Sequence, residues 1–213
     1  MDEAAKESRS RFGWPRVSLR TGLLFVALVA VALGFIVKLE RTRRAGEERI
    51  KPFGGSVAWK ERGPRWLTRL VGRDVFAIPW EVSFLNEPLQ DDDLLALSGL
   101  EETRQLIISQ NATFTGTGLR HLEDMQNLER LYIYDVPITD DGLANLPKIA
   151  SLEKIEAYAT RITDKVIPFI EEFDFVDEIQ LGSASLSKLK VQELDERMPR
   201  TTVGWSGQGY SGD

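Results

Sequence analysis

The chain has 213 residues with no cysteine and one histidine, which excludes disulfide bonds and metal sites built from thiolates. Residues 1–51 hold 11 Lys and Arg against 6 Asp and Glu, and the remaining residues hold 16 against 27, so the two parts carry net charges of +5 and −11. Because an acidic surface repels phosphate backbones, we expect no nucleic-acid binding by the larger part.

The N-terminal part contains one long apolar segment. Residues 1–20 are polar and are predicted to form a disordered tail. The next segment, TGLLFVALVAVALGFIV, has no charged residue and, extended to Leu39, is long enough for a membrane-spanning helix. We therefore predict a single-pass transmembrane anchor in the lipid bilayer over residues 21–39. A charged juxtamembrane helix or linker is predicted over residues 40–51.

A cleaved signal peptide is the alternative interpretation of this segment. Ala30-Val31-Ala32 fits the small-x-small rule for a cleavage site. The apolar run continues beyond that site through Phe35-Ile36-Val37, which favours an uncleaved anchor. Five basic residues precede the segment and six follow it, so the positive-inside rule does not assign the side of the membrane on which the larger part lies.

Residues 52–81 are predicted to form an N-terminal cap for the region that follows. Phe53-Gly54-Gly55 indicates a turn into a short strand, and Pro64 to Gly72 indicates a short helix. We expect the first strand of the following region at Trp80 to Phe84. Four aromatic side chains are expected to form the core of the cap: Trp59, Trp66, Phe76 and Trp80.

A repeat of 24 to 25 residues runs through residues 82–205. An apolar residue followed by a polar one opens each unit, at Leu89-Gln90, Phe114-Thr115, Ile138-Thr139, Ile162-Thr163 and Leu186-Ser187. Three apolar columns keep the same register: Leu97, Leu122, Leu146, Ile170 and Leu194; Leu106, Leu131, Ile155, Ile179 and Val203; Ile108, Ile133, Ala157, Leu181 and Trp205. One unit cannot bury its own apolar side, so the units must stack.

The polar residues of the repeat indicate helix starts. The hydroxyl and the acid of Thr139-Asp140 both suit a helix N-cap, because their oxygens accept hydrogen bonds from the amides of the first turn. Thr163-Asp164 has the same pattern, and the acidic run Asp91 to Asp93 is interpreted as a capping segment as well. Gly118 and Gly142 are expected to ease the tight entry into the helix.

One unit carries a family resemblance. The segment from Leu128 to Leu146, LERLYIYDVPITDDGLANL, resembles the bacterial leucine-rich repeat, whose units read roughly L-x-x-L-x-L-x-x-T-x-I-T-D-x-G-L. The resemblance covers about residues 82–205. It implies an α/β leucine-rich-repeat solenoid of about five strand–short-helix turns, preceded here by the single transmembrane helix. Residues 206–213 are predicted to be a flexible tail.

No pattern typical of catalysis or cofactor binding is present in the sequence. His121 is the only histidine, and there is neither a phosphate-binding glycine loop nor the spacing of a calcium loop. We therefore expect no catalytic residue, no cofactor and no metal site. Asn111-Ala112-Thr113 matches a glycosylation sequon, but we interpret Asn111 as a ladder residue whose amide bonds the backbone.

The concave strand face is the predicted binding surface. Because side chains alternate along a strand, the residues between the buried columns point outward. The predicted partner-binding residues are Ile107, Arg130, Tyr132, Tyr134, Lys154, Glu156, Tyr158, Glu178 and Gln180. Tyrosine and arginine are enriched at protein interfaces, although the strand propensity of tyrosine offers a second explanation for the aromatic residues.

These observations predict a membrane-anchored protein–protein interaction module. Its partner is an unidentified protein, with no nucleic acid and no small-molecule cofactor. A structural or scaffolding envelope protein with no ligand on the concave face is the alternative. An enzyme whose site the sequence does not reveal is a further alternative.

Overall fold

The computed structural model describes residues 18–63, 65, 68–69, 77–86 and 88–207. Most of the predicted N-terminal tail, Trp66 and Phe76 of the predicted cap, and residues 208–213 of the predicted C-terminal tail lie outside these residues. The chain divides into two compact units, Met1–Lys38 and Leu39–Asp213.

Helix α1, Leu19–Ile50, contains the apolar segment of the first unit. The hydroxyl of Ser18 accepts a hydrogen bond from the N–H of Thr21 (3.3 Å), which satisfies one of the free amides of the first turn. Residues Leu19–Lys38 form a 20-residue stretch that is long and apolar enough to cross a membrane, and none of it is buried. A signal sequence meets the same two criteria, so the helix is compatible with either interpretation.

The second unit contains an open sheet of seven strands that run in sequence order across it. The strands are β1 Gly55–Glu61, β2 Ala77–Leu85, β3 Gln105–Ser109, β4 Arg130–Tyr134, β5 Lys154–Thr160, β6 Glu178–Ser183 and β7 Thr202–Ser206. Strand β1 is antiparallel to β2, and every other neighbouring pair is parallel. The fold is therefore α/β with a mostly parallel sheet.

Helical segments join the parallel strands, because a parallel pair needs a connection that returns the chain to the starting edge. Between the parallel strands of the described chain, the α-helices are α2 Asp140–Leu143, α3 Ile167–Ile170 and α4 Lys188–Arg197. The 3₁₀ helices are Lys51–Phe53, Asp91–Leu97, Thr117–Leu122, Asp164–Val166 and Glu171–Phe173. The helices between two strands are short, and α4 is the longest of them.

The two strand columns of the sequence repeat lie side by side across the sheet. Leu106 is the neighbour of Leu131, and Leu131 is the neighbour of Ile155. All three side chains are fully buried, together with the apolar residues that open the helical segments, in one continuous core. Trp205 is the exception among the column residues, because its strand β7 is the edge of the sheet and its side chain remains 37% exposed.

The core extends beyond the predicted start of the cap at residue 52. Ile50, the last residue of α1, is fully buried and belongs to the same core. Gly46 lies against Leu100, and the guanidinium of Arg49 donates a hydrogen bond to the carbonyl oxygen of Ser98. Residues 39–50 therefore include a helical turn that packs on the rest of the second unit.

Strand β2 starts three residues before the predicted first strand and contains a β-bulge. Ala58 pairs with Glu81 and Trp59 pairs with Pro79, which leaves Trp80 without a partner in β1. Trp80 and Glu81 are both half-buried, because the extra residue breaks the alternation of sides along the strand. Trp80 is thus only half-buried, and the cap core stays a prediction because Trp66 and Phe76 lie outside the described residues. Trp59 is half-buried and packs against the core.

The hydroxyl and the acid at the helix starts have different roles. The hydroxyl of Thr139 accepts a hydrogen bond from the N–H of Gly142 (3.1 Å), which confirms it as an N-cap. The carboxylate of Asp140 instead accepts the backbone N–H and the hydroxyl of Thr163, both at 2.7 Å. Because Thr163 is the next N-cap along the chain, Asp140 links one repeat to the following one.

Asp91 and Asp164 make the same kind of link. The carboxylate of Asp164 accepts the N–H of Ser187 (2.7 Å). The carboxylate of Asp91 accepts the hydroxyl of Thr115 (2.7 Å) and the N–H groups of Gly116 (2.8 Å) and Gly118 (2.9 Å). Burial alone would raise the pKa of Asp91, but these hydrogen bonds outweigh burial and lower it below the ordinary value of 3.8. Asp91 therefore links two repeats, whereas the capping interpretation of the acidic run is confirmed at Asp93, whose carboxylate accepts the N–H of Gln90 (2.7 Å).

Gly118 and Gly142 allow two backbone segments to pack closely; they were predicted instead to ease the turn into the helix. Neither residue has a positive φ. A Cβ atom on Gly118 would overlap the carbonyl oxygen of Asp91, and one on Gly142 would overlap the carbonyl oxygen of Thr115. Two backbone segments from successive repeats touch at each glycine, which leaves no room for a side chain.

Candidate functional site

All nine predicted partner-binding residues lie on one exposed face of the sheet. Along β3, β4 and β6 they alternate with fully buried residues, and each of them is half-buried. We call this surface the tyrosine face and define it by Ile107, Arg130, Tyr132, Tyr134, Lys154, Glu156, Tyr158, Glu178 and Gln180. The parallel register brings residues from four strands into one continuous surface.

Three tyrosine rings form a stack at the centre of this face. The ring centroids of Tyr132 and Tyr134 are 5.9 Å apart with an interplanar angle of 27°. The rings of Tyr134 and Tyr158 are 5.8 Å apart and nearly parallel, with an angle of 8°. The second pair follows from the register, since Tyr134 and Tyr158 are direct neighbours on β4 and β5. Such pairs contribute about 0.5–1.5 kcal/mol beyond the area that they bury.

A network of charged groups fixes one side of the stack. The ammonium of Lys154 lies 2.8 Å from a carboxylate oxygen of Glu156 and 2.8 Å from one of Glu178. Gln180 donates to the other oxygen of Glu178 (3.2 Å). The hydrogen bonds to Glu156 and Glu178 raise the pKa of Lys154. The bond from Lys154 lowers the pKa of Glu178 below its ordinary value of 4.5. The charge of Lys154 is therefore already neutralised within the face.

The tyrosine hydroxyls of the stack are held by the same network. Tyr134 donates a hydrogen bond to a carboxylate oxygen of Glu156, and the hydroxyl of Tyr158 lies 3.4 Å from the amide oxygen of Gln180. Burial raises the pKa of Tyr134, and the bond to Glu156 raises it further because the bond requires the protonated phenol. Burial and the charge of Glu156 raise the pKa of Tyr158 as well. Both phenols are therefore neutral donors at physiological pH.

Arg130 and Tyr132 are the two groups of the face with unused polar atoms. Within the part of the chain that the structure describes, the guanidinium of Arg130 makes no ion pair and the hydroxyl of Tyr132 makes no hydrogen bond. The two residues stand two positions apart on β4, so their side chains leave the sheet on the same side. They offer five N–H donors and one hydroxyl to a partner.

Strands β1 and β2 carry solvent-accessible residues that the sequence pattern did not predict. Leu85, the neighbour of Ser109 across the sheet, is 45% exposed and extends the apolar part of the face. The ammonium of Lys60 lies 3.6 Å from the centroid of the Trp80 ring, and the guanidinium of Arg104 lies 5.8 Å from it. Pro79 was the one sequence signal of the bulge that exposes Trp80, since proline inside a strand is typical of a bulge.

Two other residues that the sequence analysis singled out have structural surroundings. Asn111 is buried, and its amide oxygen accepts the N–H groups of Thr113 (3.0 Å) and Phe114 (2.9 Å), as the ladder interpretation predicts. His121 is 18% exposed, with its Nε2 atom 3.5 Å from a carboxylate oxygen of Asp92. Among the described residues, no group of three metal-ligating side chains is close enough to hold a metal ion.

No protein-family model matches the chain, and no curated protein is significantly similar to it in sequence.

Proposed function

We propose that the second unit is a leucine-rich-repeat solenoid. Three observations support this class. The sequence repeats every 24 to 25 residues, the strands β2 to β5 pair in parallel in one constant register, and a short helical segment follows each strand from β2 to β6. The links from Asp91, Asp140 and Asp164 to the following repeat suit units that contact only their neighbours.

We further propose that this solenoid is a membrane-anchored module for protein–protein interaction, with the tyrosine face as its binding surface. The anchor is supported by the apolar run of α1, which extends past the candidate cleavage site at Ala30-Val31-Ala32. An unidentified protein is the partner, and no catalysis is required of the chain.

The observation that carries the proposal is the stack of three tyrosines beside an unpaired arginine. Tyrosine and arginine dominate the binding energy of protein interfaces, where they cluster at the centre of the contact. Here the hydrogen bonds to Glu156 and Gln180 fix two of the rings before any partner arrives. A surface ordered in advance loses little side-chain entropy on binding, and this favours affinity.

Site-specific photocrosslinking in cells tests the proposal. A photoreactive amino acid at residue 107 reports on the tyrosine face, and one at Leu189, whose side chain is 63% exposed on α4, serves as the control. We expect a discrete cross-linked protein product from residue 107 and none from Leu189. Identical products from both positions, or no product from residue 107, would contradict the proposed surface.

The same cells distinguish the structural alternative. If the chain scaffolds an envelope assembly through its anchor, deleting residues 19–38 abolishes the complex while replacement of the tyrosines leaves it intact. The interaction module predicts that the tyrosine replacements weaken the complex by themselves.

A further inference from the structure

The bulge in β2 opens a cavity of about 250 Å³ at one end of the sheet. The described residues that line it are Lys60, Glu61, Arg62, Ile78, Trp80 and Arg104. Ile78 is buried and provides an apolar wall, whereas Lys60 and Arg62 are exposed at its mouth. None of these residues belongs to the tyrosine face.

The backbone geometry explains why basic and aromatic side chains meet here. The bulge leaves Trp80 half-buried and without a partner in β1, and it shifts the register so that Lys60 pairs with Ile78. The ammonium of Lys60 then lies 3.6 Å from the Trp80 ring centroid, close enough for a cation–π interaction. Arg104, the residue just before β3, has its guanidinium 5.8 Å from the centroid of the same ring.

The charge of the cavity is opposite to that of the unit around it. Residues 39–213 hold 21 Lys and Arg against 30 Asp and Glu, a net charge of −9. The cavity lining has three basic residues against one acid, Glu61. Arg104 also forms an ion pair with Glu129, but Lys60 and Arg62 have no ion pair within the described part of the chain. Two uncompensated cations therefore face one cavity on an acidic protein.

We propose that this cavity is a binding site for a phosphate-type oxyanion, either free or carried by a lipid headgroup. Lys60 supplies a point charge, and the two guanidinium groups supply paired N–H donors, which is the combination that recognises phosphate. Trp80 and Ile78 shield one side of the bound group from water, which strengthens each charged hydrogen bond. The site does not depend on the interaction proposed for the tyrosine face.

The indole N–H signal of Trp80 in the NMR spectrum of the full chain, held in a nonionic detergent, reports on the cavity. The Trp80→Phe variant assigns the signal. Inorganic phosphate is titrated at constant ionic strength, so that general screening of surface charge does not change. Glycerophosphoglycerol, a water-soluble headgroup of an anionic lipid, is titrated in parallel. We expect a saturable shift of the Trp80 signal with one or both probes.

The double variant Lys60→Gln with Arg62→Gln tests the two unpaired cations. We expect affinity for the bound probe to fall by about tenfold or more, because each lost charge-assisted hydrogen bond corresponds to at least that factor. Lys165→Gln removes one exposed positive charge away from the cavity and is the control matched to Arg62→Gln alone, which removes one charge at the cavity. Arg62→Gln alone replaces the double variant if the latter does not fold, and is expected to weaken binding in the same direction.

The two probes separate the two sources of the anion. Tighter binding of glycerophosphoglycerol than of phosphate identifies a lipid headgroup as the ligand, and the reverse order identifies a free phosphate compound. Absence of a saturable shift with both probes would overturn the proposed site. Equal affinity in the variant, the control and the original chain would overturn it as well.

Discussion

Gly142 packs directly on Thr115, so that a Cβ atom on the glycine would overlap the carbonyl oxygen of the threonine and lie 3.0 Å from its carbonyl carbon. The contact joins the helical segments of two successive repeats. Backbone atoms cannot rotate away as a flexible side chain can, so the overlap forces the two segments apart.

The first prediction follows from this contact. Gly142→Ala is expected to lower the free energy of unfolding by about 3 kcal/mol or more, because overpacking against a fixed backbone displaces a whole repeat. Denaturant unfolding monitored by circular dichroism measures the change. Gly34→Ala is the control, since no atom lies within 4 Å of the added Cβ and stability should not fall. Equal stability of the Gly142→Ala variant and the original chain would show that the repeats can separate without cost.

The second prediction concerns the link between Asp140 and Thr163. Asp140→Ala removes two hydrogen bonds to a charged acceptor and leaves the N–H of Thr163 without its partner. We expect a loss of about 1.5–3 kcal/mol in the free energy of unfolding, the usual value of a hydrogen bond to a charged group. Asp141→Ala is the matched control, because Asp141 is exposed and adjacent to Asp140. If both variants lose the same stability, helix propensity rather than the link is responsible.

The third prediction concerns acid stability. The pKa of Asp91 in the folded state is lowered from its ordinary value of 3.8 by the hydrogen bonds from Thr115, Gly116 and Gly118. A carboxyl whose folded pKa is depressed contributes stability above its unfolded pKa, and that stability is lost as pH falls through the folded pKa. The original chain should therefore lose stability below about pH 4 more steeply than the Asp91→Asn variant.

Urea unfolding at a series of pH values checks this difference. Asp92 is the matched control, because it is adjacent to Asp91 and its side chain is 75% exposed, so Asp92→Asn should keep the acid dependence of the original chain. Parallel curves for the Asp91→Asn variant and the original chain would contradict the linkage.

The fourth prediction concerns Ala159, the second-last residue of β5. Ala159 has φ of +52°, a left-handed conformation that costs a residue with a Cβ atom about 1–2 kcal/mol. Asn86, Gln110 and Asp135 have the same conformation one or more repeats earlier. Ala159→Gly should therefore raise the melting temperature, because relief of about 1–2 kcal/mol of strain exceeds the roughly 0.5–1 kcal/mol that glycine costs through the entropy of the unfolded chain. Ala144→Gly, at φ of −64°, is the control and should lower it.

The fifth prediction concerns the tyrosine face. Tyr132→Ala combined with Tyr158→Ala should reduce the cross-linked product from residue 107 by about tenfold or more, since truncation of an interface hot spot costs about 2 kcal/mol or more. The domain should remain folded, because both side chains are only half-buried and lie outside the core. Leu189→Ala should leave the product unchanged. An undiminished product from a folded double variant would remove the tyrosines from the interaction.

Much of the strand arrangement was predictable from local pattern. The columns that contain Leu131 and Ile133 recur every 24 to 25 residues, and side chains alternate along a strand, so the buried and exposed sides of β4 could be assigned before any coordinate was known. The same reasoning put Tyr132 and Tyr134 together on the exposed side, where the structure stacks their rings. These assignments need only the period and the direction of each side chain.

The roles that depend on a neighbouring segment were not predictable in this way. Asp140 and Gly142 were both assigned to the start of their own helix, but their contacts are with Thr163 of the following repeat and Thr115 of the preceding one. Trp80 was assigned to a buried core, but at the bulge it has no partner in β1 and its side chain is only half-buried.

The sequence by itself therefore determined the repeat, the apolar segment and which strand residues face outward, because each of these is a property of spacing along one segment. Only the tertiary structure decided which backbone atom lies against Gly142, and that Trp80 is the residue of β2 left without a partner in β1. Those outcomes depend on the distance between two segments about 20 or more residues apart, and that distance is set by the packing of the whole core.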